Sequence, residues 1–199
     1  MENVMANENR PWGLKPVSYA SGVCWTGGAN VYVIPAADTN SYAIGDPVKS
    51  GGSADSNGVP SITLAAATGA IRGVVVGLGT RESLMANPSN LDSTIRPAGA
   101  QSIDWYATVV DDPNTVFEIQ ESGTPMTAAD VGLNINMAVA ANNGFTSKWT
   151  ADAATKATTA TLQLKLLGLA RRQDNAFGAF AKWLVKVNNH ELSAGTAGV

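Results

Sequence analysis

With one cysteine and one histidine in 199 residues, the chain is short of the side chains that several chemistries require. A lone Cys24 forms no internal disulfide, and no Cys/His cluster has the spacing of a zinc site. Metal and disulfide staples are not expected, and no cofactor motif replaces them. Cys24 lies between Val23 and Trp25, where a small buried hydrophobe is the expected role. Charge is also sparse: 15% of residues are charged, the net charge is −3, and no broad basic footprint for nucleic acid exists. The one basic cluster, Arg171-Arg172, follows an alternating segment and precedes Asp174, and reads as a solvated strand end. No long uninterrupted apolar run is present and the start has no charged-then-apolar pattern. Neither a membrane span nor a signal peptide is expected, which leaves the chain in the cytosol where it is made.

What is abundant points to β-structure. Hydrophobic residues make up 45% and glycines number 20, whereas Leu, Lys and Glu are too few for a helical bundle. The clearest strands are Leu162-Gln163-Leu164-Lys165-Leu166 and Trp183-Leu184-Val185-Lys186-Val187, with Asp174 to Gly178 as a turn between them. Leu133, Ile135 and Met137 alternate with Asn134 and Asn136 as a half-buried strand. Asn57-Gly58 is a hairpin turn before Ile62-Thr63-Leu64, and the glycines flanking Val74-Val75-Val76 permit curvature. Ala107 to Val110 and Thr115 to Gln120 are two further strands, read as a hairpin across Asp111-Asp112-Pro113-Asn114. Thr127 and Asp130 have the spacing of a capping box around one helical turn. Residues 79–99 and 146–160 are polar and read as long loops, with a helical turn near Glu82 to Met85.

The first 28 residues have no steady periodicity but carry Trp12, Leu14, Val17, Tyr19 and Trp25 among prolines and glycines. They read as an extended arm, covered either by its own domain or by a neighbouring subunit. Residues 29–199 then form a single domain. The expected fold is all-β and mainly antiparallel, jelly-roll or barrel-like.

No catalytic constellation stands out. A hydrolase would need His190 as base, yet no Gly-x-Ser-x-Gly elbow occurs, and His190 reads as a surface or edge residue. Gly77-Leu78-Gly79 has Glu82 where a dinucleotide fingerprint needs glycine, and no phosphate loop exists. The carboxylates Asp111-Asp112 and Glu118/Glu121 read as solvated turns and strand ends, and the chain is expected not to be an enzyme.

Four islands carry a resemblance: Pro11-Trp12-Gly13-Leu14-Lys15-Pro16-Val17, Ile44-Gly45-Asp46-Pro47-Val48, Asp111 to Asn114 with Phe117 to Gln120, and Val187-Asn188-Asn189-His190. In that order, from about Pro11 to His190, they resemble the head decoration, or cement, proteins of tailed bacteriophages. The resemblance implies a structural protein on the outer capsid surface of the virion, made in the host cytoplasm and bridging major capsid protein subunits. It also implies a homo-oligomer, dimer or trimer, with no nucleic-acid or membrane partner. The residues expected at the capsid interface are Pro11, Trp12, Gly13, Leu14, Lys15, Pro16, Val17 and Trp25. The competing expectation is a receptor- or glycan-binding β-module, or a minor tail-associated protein, presenting Trp105, Tyr106 and Trp149 on a flat face.

Overall fold

A computed structural model describes residues 7–80, 94–195 and 197–198. Thirteen strands and one short 3-10 turn make up its regular structure. The all-β, mainly antiparallel expectation is met.

Five strands close a small barrel: β2 (Asn30–Ile34), β4 (Pro47–Ala54), β5 (Pro60–Leu64), β6 (Gly73–Thr80) and β8 (Trp105–Val110), in the order β2-β5-β4-β6-β8. All its pairings are antiparallel except β2 with β5, which meet in parallel at Val33 and Ser61. The Asn57-Gly58 hairpin joins β4 to β5, with Gly58 at φ +81° where a side chain would be strained. A bulge between Val75 and Gly77 bends β6, as its glycines allow. Two short strands, β3 (Tyr42–Ala43) and β7 (Ile95–Arg96), pair beside the barrel.

The other six strands form one sheet in the order β1-β9-β13-β12-β10-β11: β1 (Lys15–Tyr19), β9 (Thr115–Gln120), β10 (Asn134–Ala138), β11 (Thr150–Ala157), β12 (Leu164–Leu169) and β13 (Lys182–Val187). Just past β9, Glu121 forms a parallel bridge with Ala151 in β11, so the sheet rolls back toward itself. In sequence, the barrel is thus an insertion between the first and second strands of the sheet.

Two apolar cores result. Tyr32, Ile34, Val48, Ile62, Val75, Leu78 and Val109 fill the barrel. The larger core lies inside the rolled sheet, with Phe117, Ile119, Ile135, Leu164, Trp183 and Val185, and takes in Ile71, Val74 and Val110 from the barrel side. Period-2 alternation produces this: Trp183, Val185 and Val187 are buried while Lys182, Leu184 and Lys186 point outward.

Several expectations need correction. The β8 and β9 strands do not pair with each other; β8 belongs to the barrel and β9 to the sheet. Asp111 to Asn114 is therefore a corner between two β-layers, folded as a turn in which Thr115 N–H donates to the Asp112 carbonyl. Residues 146–160 are not a polar loop but hold β11, whose Ala151 and Ala153 face inward. Alanine has weak strand propensity, and only its burial pattern, set by the neighbouring strand, makes the segment β. Cys24 is exposed, because it bridges only to the edge strand β1 at Ser18 and lies outside the core. The expected helical turn near Glu82 to Met85 lies outside the described residues. The Thr127 turn is present: Ala128–Asp130 is helical, and the Asp130 carboxylate accepts the Thr127 N–H at 2.7 Å.

Candidate interaction surface

The islands that carry the resemblance sit where the layers are joined. Leu14 N–H donates to the Gly45 carbonyl, Gly45 N–H to the Val75 carbonyl, and Ser147 N–H to the Ile44 carbonyl, so arm, barrel and sheet loop meet at one joint. Gly13 and Gly45 have φ of +72° and +93°, and a Cβ on Gly13 would sit 2.3 Å from the Gly45 carbonyl oxygen. The joint therefore requires glycine on both sides.

Asp46 is 2% exposed in the same joint, and its Oδ2 accepts the Ala43 N–H at 2.8 Å. Burial pushes its carboxyl up to about 6, against the pull of the Ser147 hydroxyl and the Ala43 N–H. With the folded-state value above the unfolded one, the protonated form stabilises the fold below about pH 4, and that contribution is lost as pH rises through about 6. Asp46→Asn is thus expected to be more stable than the parent at pH 8 by about 2–3 kcal/mol and equal to it near pH 4. Urea midpoints of the two proteins at both pH values test this; a gap that stays constant with pH would sink it.

The second joint is the Asp111 corner. Asp111 is buried, accepting from Asn30 Nδ2 at 2.8 Å and from Tyr32 Oη at 2.5 Å, with Arg72 Nη2 at 3.5 Å. His190 packs behind it, 4% exposed, with its Nδ1 accepting the Leu192 N–H at 3.0 Å. Burial and the Arg72 charge lower its pKa and favour the neutral ring. The expectation of a surface histidine is therefore wrong: the segment after β13 folds back onto Ile71 and carries His190 inward. Glu121 is also fully buried, accepting the Met126 N–H at 3.1 Å, and burial pushes its carboxyl up. Asp111 and Glu121 are thus internal struts rather than solvated turns, a fate that no local pattern announces.

The interface candidates divide between joint and surface. Leu14 is 1% exposed in the main core and Gly13 is locked against Gly45 and Ser147. Pro11 gives its carbonyl to Lys148 Nζ at 3.0 Å, and Trp25 is half-buried against the core with Nε1 donating to the Gly28 carbonyl. Pro16 pairs with Phe117 in the sheet. Trp12, Lys15 and Val17 face outward, and Trp12 is 53% exposed.

These three open onto the outer face of the six-stranded sheet. One groove there is lined by Val17, Leu167, Leu169, Phe177 and Leu184, with Glu118, Arg171 and Arg172 at its border. A second, lined by Trp12, Lys15, Arg10, Glu8, Asp174 and Lys182, shares Glu118 and Arg172 with the first. Leu167 and Phe177 are 42% and 51% exposed, large apolar side chains that the fold leaves uncovered. Arg172 grips Asp174 through Nε at 2.9 Å and Nη2 at 3.1 Å, and reaches Glu118 through Nη1 at 3.1 Å. The Arg172 guanidinium, helped by Lys182, holds the Asp174 carboxyl well below the usual carboxylate range. Such exposed pairs fix side-chain positions more than they stabilise.

Among the described residues no group of three or more His, Cys, Asp or Glu is placed to hold a metal ion, and no helix is long and apolar enough to cross a membrane. Comparison with protein-family models, with curated proteins and with solved structures finds no match.

Proposed function

We propose that this chain is a structural, non-enzymatic virion protein that decorates the outer surface of a tailed-phage capsid and stabilises it by bridging major capsid subunits. The observation that carries this reading is the outer sheet face, where exposed Trp12, Leu167 and Phe177 lie within a frame of charged side chains on a fold that completes its own core. The ordered set of four islands, which resembles the decoration proteins, adds to it.

The physics favours such a role. Packaged DNA pushes a shell outward, and a small β-domain laid across subunit junctions adds contact area that resists separation. A buried aromatic side chain removes about 150–250 Å² from water, or several kcal/mol at about 25 cal/mol/Å² before ordering costs. Repeated over a lattice, even a modest net gain per copy is large. A dimer or trimer would place several such faces on one junction.

The glycan-binding alternative has lost its platform. Tyr106 and Trp149 are buried, Trp105 is half-buried against the barrel core, and the Tyr106 hydroxyl donates to Asp55 at 2.7 Å.

The test is co-sedimentation of the purified chain with matching head shells stripped of it, read as copies bound per shell. Saturation at a fixed stoichiometry is expected. No binding to immature or expanded shells would overturn the reading and turn attention to the tail or to a glycan.

A further inference from the structure

The fold leaves one buried carboxylate oxygen unmet beside an open cleft. Asp46 Oδ2 accepts the Ala43 N–H, but Oδ1, also buried, accepts no hydrogen bond. The Ser147 hydroxyl pulls on the carboxyl without closing a hydrogen bond to Oδ1, and no charged side chain is among the groups that act on it. Among the described residues Asp46 joins no ion pair. An unmet oxygen inside a fold is costly, and native structures leave few of them.

The cleft lies at the joint between barrel and sheet. Its volume is about 490 Å³, in the range of small-ligand sites, and its lining includes Asp46, Ser41, Leu64, Val139, Asn142 and Trp149. Asp46 is the one charged side chain among the described residues that line it. Asn142 Nδ2 donates to Ser41 Oγ at 2.8 Å, and Ser41 Oγ donates to the Arg96 carbonyl at 3.1 Å, so neither serves Asp46. Leu64, Val139 and Trp149 supply apolar wall, and Val139 is 57% exposed, a large side chain left uncovered at the rim.

We infer that this cleft binds a primary alkylammonium group, with the ammonium on Asp46 Oδ1 and its methylene stem against Leu64, Val139 and Trp149. An ammonium brings three donors and a positive charge, and a short methylene stem covers apolar wall behind it. A guanidinium fork calls for two carboxylate oxygens, and Oδ2 is already taken by the Ala43 N–H. An anion would meet the Asp46 charge, and a wholly apolar ligand would leave Oδ1 unmet. A divalent cation needs several oxygen ligands, and no group of three acids lies here among the described residues. The group arrives either on a free small amine or on the lysine of a protein seated over the joint. The site itself does not depend on the capsid reading.

The test is titration of the protein with 1-butylammonium, followed by the backbone amide resonances of Ala43 and Trp149. 1-Butanol serves as the same stem without the charge. At about pH 8 the amine is expected to bind at least about tenfold more tightly than the alcohol, and Asp46→Asn to lose at least about tenfold in amine affinity. Asp46→Asn is the more stable protein at that pH, so lost binding is not lost folding. For the parent, amine affinity is expected to fall at least about tenfold by about pH 4.5, as Asp46 takes up a proton while the amine stays charged. Equal binding of amine and alcohol, equal affinity of the two proteins, or binding unchanged between the two pH values would each overturn the inference. Stripped head shells separate the two sources. Weaker decoration by Asp46→Asn assigns the group to a capsid lysine, whereas equal decoration alongside lost amine binding assigns it to a free amine. Failure of the parent to bind shells at all removes the capsid reading and leaves the amine result standing.

Discussion

Truncating Trp183 to alanine is expected to lower the unfolding free energy by about 3–5 kcal/mol. Trp183 is fully buried in β13, which pairs on one side with β12 and on the other with β9. Its neighbours in register are Leu169 and Ile119, and the Phe177 ring packs against it with centroids 5.8 Å apart. A cavity opened between two hydrogen-bonded strands cannot collapse without breaking the ladder, so the expected loss lies at the upper end of the range. Against a total stability of about 5–15 kcal/mol, that loss removes a large share. Trp183→Phe retains most of the packing and is expected to lose less, although it takes the indole N–H from beside the Glu121 carboxyl. Urea unfolding of the two variants measures both values; an alanine variant within about 1.5 kcal/mol of the parent would show that the rolled sheet repacks more freely than its register implies.

Replacing Arg96 is expected to be about as damaging, for a different reason. Its guanidinium is fully buried and spends its donors on backbone: Nη1 on the Asn40 carbonyl and Nη2 on the Asp38 carbonyl, each at 2.6 Å, with the Pro35 carbonyl at 3.4 Å. The Tyr42 ring lies beneath it, 5.7 Å from the guanidinium carbon. One side chain thus ties down the Asp38 and Asn40 carbonyls of the 35–41 connection, and its removal takes that donor from each and leaves a hole over the Tyr42 ring. Arg96→Ala is expected to cost about 3–5 kcal/mol. Arg96→Lys keeps the charge but replaces a planar fork with a point, and is expected to cost about 2 kcal/mol or more. A lysine variant within about 0.5 kcal/mol of the parent would mean that charge alone holds the connection.

What the sequence made legible follows from periodicity. The alternating runs at β13 and β10 and the Asn57-Gly58 hairpin are local signals, and the elements lie where those signals fall, whereas β12 starts at Leu164, two residues after its run begins, and continues to Leu169. Features that depend on a distant partner were hidden. The Asp111 corner has the same turn chemistry as a hairpin, and only the pairing of β8 with β6 and β9 with β13 tells the two apart. Arg96 sits in a two-residue strand with Ile95, too short for an alternating pattern to announce its burial, and His190 is carried inward by the fold of the tail. The outer face was readable only in part. Trp12, Lys15 and Val17 stood out in the arm, whereas Leu167 and Phe177 resemble core residues until a bulge in β12 and an outward loop expose them.

The position of the barrel inside the sheet has a consequence for synthesis on the ribosome. Lys15 pairs with Glu118, 103 residues later in the chain. At about 5–20 residues per second, the arm with Leu14 and Trp25 emerges about 5–20 s before its partner strand exists, and β13 must follow before β9 has both neighbours. The barrel strands between them form a contiguous stretch and can close first. The nascent chain therefore carries an unpaired apolar leader ahead of a folded knob, and the interval before β9 appears is the period when it is most open to chaperones and to mispairing with other chains.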